Sequence, residues 1–205
     1  MTPTTARGER TREEILKAAT SVVLEMGPDA FSLREVARRA HLAPSALYNH
    51  FASRDELVLA IARRALDDLK GYLAQAPATM GAADSLREFA LAYAAFATER
   101  PNEYRLIFEC LENPPTNWET YLGVAQPFMI VADAVAGGLA SGEFVDRAGV
   151  GAGGMAYGLW ALVHGHASLQ ARNLRHVEGD FETLLRSAVD SVIAGWSPTT
   201  ERRDV

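Results

Sequence analysis

Apolar residues recur three and four positions apart along most of the chain, and no run of alternating β-branched and aromatic residues is long enough to suggest a sheet. That periodicity predicts an all-α fold. Over about 11–26, Ile15, Ala18, Ala19, Val22, Val23 and Met26 share one helical face, and Gly27 is placed to end the helix. Thr11 with Glu14, Ser32 with Glu35, and Ser53 with Glu56 each set a hydroxyl three residues before a carboxylate at the head of an apolar-periodic run. This is capping-box spacing, in which hydroxyl and carboxylate each satisfy an orphan backbone N–H. Pro44 suits the first position of a further helix, where it has no N–H to lose. Four helices are therefore predicted, over 11–26, 33–39, 44–51 and 54 to about 75.

Helical spacing resumes from about 84 to 98. Pro101 opens a helix carrying Tyr104, Ile107, Phe108 and Leu111, which Asn113-Pro114-Pro115 closes. A long helix is expected from about 118 to 140, kinked or split by Pro127. A glycine-dense stretch, 149–158, precedes an apolar run to Leu169, and a last helix covers about 181–196. The expected organisation is an N-terminal head over 1–55, a larger helical body over 56–197, and a disordered tail over 198–205.

Composition narrows the function. Apolar residues make up 48% of the 205 and charged residues 22%, enough apolar surface for a core and too much for a disordered chain. The lone Cys110 can form no intrachain disulfide and no cysteine-based zinc site, which favours a reducing cytoplasm. The first ten residues lack the apolar run of a signal peptide, and no apolar stretch reaches spanning length, so no membrane partner is expected. His164 and His166 are two apart and point to different helix faces, so they do not form a chelating pair. No glycine-rich phosphate loop or supportable Ser/His/Asp arrangement appears, which speaks against an enzyme, and no cofactor or metal is expected. Net charge is −6, yet up to Leu66 ten basic side chains face eight acidic ones, a surplus of two that leaves −8 for the remainder. A mildly basic head beside an acidic body fits DNA binding through the head.

The most informative stretch runs from Phe31 to Phe51: a short helix, a turn of about four residues and a second short helix, which is helix-turn-helix spacing. Leu33, Val36, Ala37, Ala40, Leu42, Leu47 and Phe51 give one apolar face, and the small Ala37 lets the helices approach closely. Pro44, Ser45, Ala46, Tyr48, Asn49 and His50 remain outward, small or hydrogen-bonding side chains that suit a major groove. By pattern alone, the stretch could equally be a compact helical corner with a solvated polar face.

Residues 11–66 resemble the DNA-binding domain of TetR-type repressors. The likeness rests on the opening Thr-Arg-Glu-Glu-Ile-Leu, the middle Ser-Leu-Arg-Glu-Val-Ala, and Leu47-Tyr48-Asn49-His50-Phe51 followed by Ser53-Arg54-Asp55-Glu56-Leu57. It implies that Ser32 and the helix start it caps sit at a phosphate, and that Tyr48 and His50 donate to the DNA backbone. Arg54 would stand in for a usual lysine at another phosphate. It further implies that Arg34, Pro44, Ser45 and Ala46, with Asn49, face base edges, Arg34 in a geometry that can pair bidentately with guanine. Arg7, Arg10 and Arg12 form either an arm along the DNA or a solvated tail. At Ala43-Pro44-Ser45 the chain departs from the pattern, a Ser or Thr and a Gly being usual at the outer positions, and one phosphate contact is lost with the hydroxyl.

Further on, Trp160-Ala-Leu-Val-His164-Gly165 is similar to a Trp…His-Gly signature in one subgroup of TetR-type C-terminal domains. The resemblance implies a homodimer built on the last two long helices, about 150–173 and 180–196, with the heads about one DNA turn, roughly 34 Å, apart on an approximately palindromic duplex operator. Phe89, Tyr93, Phe96, Tyr104, Phe108, Trp118, Tyr121, Phe128, Tyr157, Trp160 and His164 are candidate lining for a small apolar effector, with core packing the alternative for each. The function expected is a ligand-responsive repressor. The alternatives are an activator of the same family, or a helical dimer that binds a small molecule without binding DNA.

Overall fold

The computed structural model describes residues 6–27, 31–74, 81–108, 118–172, 174 and 176–198, and only the backbone of 6, 7 and 118–125. Among the described residues there are nine helices and no strand: α1 (Ala6–Met26), α2 (Leu33–Arg39), α3 (Pro44–Tyr48), α4 (Arg54–Leu73), α5 (Ala82–Glu99), α6 (Pro101–Phe108), α7 (Trp118–Ser141), α8 (Gly151–Arg172) and α9 (Phe181–Trp196). They fall into two units, Met1–Asp68 with Arg100–Val124, and Leu69–Glu99 with Ala125–Val205. A single cut near residue 55 follows chain order, whereas compactness groups α6 with the N-terminal helices.

In the first unit, α1 packs on α2 and α6, and α2 on α3. One core joins Ile15, Ala19 and Val22 of α1 to Val36 and Ala37, Leu47, Phe51, and Leu57 and Ile61 of α4, with Leu106 of α6 completing it. Each of its larger side chains, from valine to phenylalanine, contributes roughly 1.5–3 kcal/mol when fully buried. Gly27 ends α1 as expected, at φ +80 with its N–H on Val23 O at 2.9 Å. Met26, expected on the buried face, is half exposed because the helix stops there. Asn102 Nδ2 donates to Leu24 O at 2.7 Å and anchors α6 at that end of α1.

Two of the three expected capping boxes do not form. Thr11 lies inside α1, which starts five residues earlier at Ala6, so its N–H belongs to the helix ladder rather than to a cap. Ser32 is extended at the start of α2, but its hydroxyl makes no capping bond, and Glu35 is held by arginines instead. At Ser53 the device is present: its hydroxyl accepts from Glu56 N–H at 3.1 Å, and the Glu56 carboxylate accepts from Ala52 N–H at 2.7 Å.

The turn between α2 and α3 closes by backbone bonds. Leu42 N–H reaches Ala37 O at 2.9 Å and His41 N–H reaches Arg38 O at 3.2 Å, a Schellman pattern whose left-handed position is His41 at φ 54. Glycine takes this conformation without penalty and histidine does not. His41 is exposed, so His41→Gly should raise the unfolding free energy by about 1 kcal/mol. A denaturant midpoint that falls instead would show that the imidazole makes a compensating contact.

In the second unit, α5 packs on α8 and α9, which also pack on each other. Leu86, Phe89, Tyr93 and Phe96 of α5 meet Met155, Leu159 and Val163 of α8 and Leu185, Val189 and Ile193 of α9 in the buried layer. The glycine-dense stretch lies within α8 from Gly151 on, entered through positive φ at Gly149 and Gly151. Helix α7 runs unbroken through Pro127, whose missing N–H removes one ladder bond without ending the helix. Glu143 accepts from the N–H groups of Ala82 and Ala83, both at 2.8 Å, and caps α5 from a distance in sequence. The closing segment expected at 113–115 and residues 199–205 of the expected tail lie outside the described residues.

Candidate nucleic-acid interface and candidate effector cluster

The predicted helix-turn-helix is present as α2, the His41 turn and α3. Helix α3 ends at Tyr48 rather than at 51, and Asn49 and His50 continue as a turn, with Phe51 N–H still on Leu47 O at 3.1 Å. Pro44 occupies the first turn, as its missing N–H allows. Leu47 and Phe51 anchor this segment in the core, at 1% and 0% exposure.

The opposite side of α3 faces outward. Pro44, Ser45 and Asn49 are exposed, Ala46 and His50 are half-buried, and Tyr48 exposes 56% of its surface. An aromatic residue left this open on a short helix adds little to folding, which makes it free to serve a partner. Ser32 and Arg34 are exposed at the start of α2, and no hydrogen bond or ion pair holds the Arg34 guanidinium among the described residues. Arg54 opens α4 with its guanidinium 5.6 Å from the Phe31 ring centroid and 3.9 Å from Asp55. All nine residues expected at DNA thus lie within one unit, on α2, α3 and the turns and helix start that flank them.

The segment of Arg7, Arg10 and Arg12, read from sequence as either an arm along the DNA or a solvated tail, has its backbone in the first turns of α1. Arg12 packs its guanidinium 4.6 Å over the Phe51 ring, a cation–π arrangement that ties α1 to the residue ending the α3 turn.

The sequence reading missed a carboxylate–arginine network beside Arg34. Glu35 accepts from Arg38 Nη2 at 2.6 Å and from Arg39 Nε at 2.8 Å. Arg39 also reaches Ser21 Oγ at 2.9 Å and Glu25 at 2.7 Å, and Ser21 donates to Glu25, so the network fastens α2 to α1. Spacing of three and four residues could have revealed the Glu35 pairs. The partnership with Ser21 and Glu25 is tertiary and has no local signal. Two of the head's basic side chains are therefore already engaged with carboxylates.

Hydrogen bonds from Arg38 and Arg39 hold the Glu35 carboxyl down at about 2. Its folded value lies below the unfolded one, so its contribution is complete above the ordinary range near 4.5 and is lost as pH falls through about 2. The gap in thermal midpoint between the native chain and Glu35→Gln should accordingly narrow from pH 5 toward pH 2. A gap independent of pH would mean that the pairing adds nothing through charge.

In the other unit, five of the eleven residues named as effector lining come together. The Tyr93 hydroxyl and His164 Nδ1 share a hydrogen bond of 2.8 Å. Trp160 meets Tyr93 edge-on at 5.0 Å, Phe89 at 5.8 Å and Phe128 edge-on at 6.1 Å, and lies parallel to His164 at 6.4 Å. Phe96 pairs with Tyr72 instead, at 5.4 Å. Tyr104 and Phe108 pair with each other in the first unit, and Tyr157 is 67% exposed. The side chains of Trp118 and Tyr121 lie outside the described residues. Phe89 and Tyr93 are buried, whereas Phe128, Trp160 and His164 keep partial exposure and form the open side of the cluster.

Among the described residues, no helix is long and apolar enough to cross a membrane, and no group of three or more His, Cys, Asp or Glu is placed to hold a metal ion.

Comparison with known proteins gives two family matches. Residues 15–61 match the model described as bacterial regulatory proteins, tetR family, and residues 86–192 match that described as tetracyclin repressor-like, C-terminal domain. A curated relative, the HTH-type transcriptional activator FasR of Mycolicibacterium smegmatis, is 38% identical over 104 residues, 50% of this chain and 47% of that protein. The match thus spans about half the relative's length. Among solved structures, a protein of unknown function from Rhodococcus sp. RHA1 superposes with a TM-score of 0.76 at 23% identity, covering 92% of this chain and 96% of that one. FadR of Bacillus subtilis in complex with stearoyl-CoA superposes at 0.66 with 15% identity, covering 89% and 98%.

Proposed function

Since the chain belongs to the tetR family of bacterial regulatory proteins, and is thus a transcriptional regulator rather than an enzyme, we propose that it binds duplex operator DNA as a homodimer and acts as a repressor released by a small apolar molecule. The observation that carries the DNA reading is the outward face of α3 and of the turn after it, where Ser45, Tyr48 and Asn49 are exposed while Leu47 and Phe51 are buried in the core. Ser32, Tyr48, His50 and Arg54 contact phosphates and fix the register. Arg34, Pro44, Ser45, Ala46 and Asn49 read base edges. Such work is done on DNA in the cytoplasm.

The dimer forms through α8 and α9, which expose Tyr157, Leu169 and Leu184, apolar side chains that a second copy would cover. Two heads related by a two-fold axis then require a palindromic operator. Effector binding at the Tyr93–Trp160–His164 cluster favours a spacing of the heads that no longer matches adjacent major grooves. The stearoyl-CoA bound by FadR supports an apolar chain as the effector class. Activation in place of repression is the second reading, favoured by the name of the FasR relative.

Selection of bound duplexes from a random library by the full chain tests the reading. Enrichment of a palindrome with two half-sites is expected. No enrichment, even at low salt where genuine DNA binding is strongest, would overturn it in favour of a small-molecule-binding dimer.

A further inference from the structure

In the second unit, a cavity of about 840 Å³ opens among the last turn of α4, the second half of α5, and facing stretches of α8 and α9. None of the aromatic cluster around Trp160 lines it. Its apolar lining comes from Leu91, Ala92, Ala94, Ala95 and Leu185, and among the described residues its charged lining is Glu88, Glu99 and Glu182 against Arg186.

The charges differ in how far they are already satisfied. Arg186 is tied to Glu182 at 2.9 Å, and Glu99 accepts from the Tyr72 hydroxyl at 2.8 Å. Glu88 is half-buried and makes no ion pair or hydrogen bond among the described residues. Glu88 is therefore uncommitted, and a cation that reaches it gains a charge-assisted hydrogen bond without displacing an existing partner. His166 also lines the cavity, and burial pushes its imidazole below the usual histidine range. It is therefore neutral near pH 7 and does not offset the carboxylates. Its Nε2 is shut off from solvent with no hydrogen-bond partner.

We propose that this cavity is a second ligand site, which takes an organic ammonium ion with an apolar body: Glu88 pairs with the N–H donors and the Leu91–Leu185 lining receives the alkyl part. A carboxylate ligand is repelled by the surplus of negative charge, and a neutral alcohol leaves Glu88 without its ion pair. The site goes beyond the regulatory reading in both place and ligand class, and its occupancy does not depend on whether the chain binds DNA.

Calorimetric titration of the full chain with n-octylammonium, octanoate and 1-octanol tests the inference by a direct binding readout. One octylammonium should bind per chain, at least about tenfold more tightly than either of the others. Glu88→Gln should weaken octylammonium about tenfold with an unchanged thermal midpoint, while Asp133→Asn, exposed on α7 outside the cavity, should leave it unaltered. Equal affinities for the three probes, equal losses in the two variants, or no binding because the dimer closes the cavity would each overturn it. Failure of operator selection would leave these titrations unaffected.

Discussion

Replacing Phe51 by alanine should lower the stability of the head by about 3–5 kcal/mol, the range for truncating a buried aromatic residue. The ring is 0% exposed, shares the core with Ile15, Val36, Leu47 and Leu57, and carries the Arg12 guanidinium on its face. It sits just after α3, so its removal leaves a cavity beneath the helix whose outward face would meet DNA. Against a typical net stability of about 5–15 kcal/mol, that loss leaves the head marginal. Urea unfolding should show a sharply lower midpoint, and affinity should fall for every duplex alike. A loss under about 1 kcal/mol would mean that the core collapses around the gap and that Phe51 is not its keystone.

Arg34→Ala should behave in the opposite way. Arg34 is exposed and outside the core, so unfolding should change by no more than about 0.5 kcal/mol. Binding to the selected operator should weaken by about 1–3 kcal/mol, with discrimination relaxed at one base position in each half-site. Arg54→Ala is the control, since a phosphate contact should be lost equally on all sequences and reduce the salt dependence. If Arg34→Ala also weakens all sequences equally, its guanidinium lies on the DNA backbone and the base-reading role belongs elsewhere.

What could be read in the sequence was local. The limits of α2, Pro44 at the start of α3 and the Ser53–Glu56 cap follow from neighbours within four residues, and each is where the spacing puts it. Capping spacing alone could not show that α1 begins at Ala6, because a Thr-Arg-Glu-Glu run is as acceptable inside a helix as at its start. Nor could it show that Glu35 is held by Arg38 and Arg39 while Ser32 makes no cap. The aromatic set illustrates the same limit. Periodicity identifies which side chains turn inward, but not which helix covers them, so it does not separate Tyr104 and Phe108, which pair in the other unit, from Trp160. The hydrogen bond between Tyr93 and His164, seventy-one residues apart, is likewise a product of packing.

The division of labour within α3 has a consequence for how such a protein can change. Only Leu47 of the helix is buried, and the exposed positions 44 and 45, with 49 just after the helix, lie outside the core. On the proposed reading, substitutions there alter what the surface recognises at little cost in folding, so affinity for a new site can be gained or lost in single steps without passing through an unfolded intermediate. A library randomised at these three positions should consist mostly of folded members, and sequence preference would then drift freely across lineages while the scaffold beneath it stays fixed.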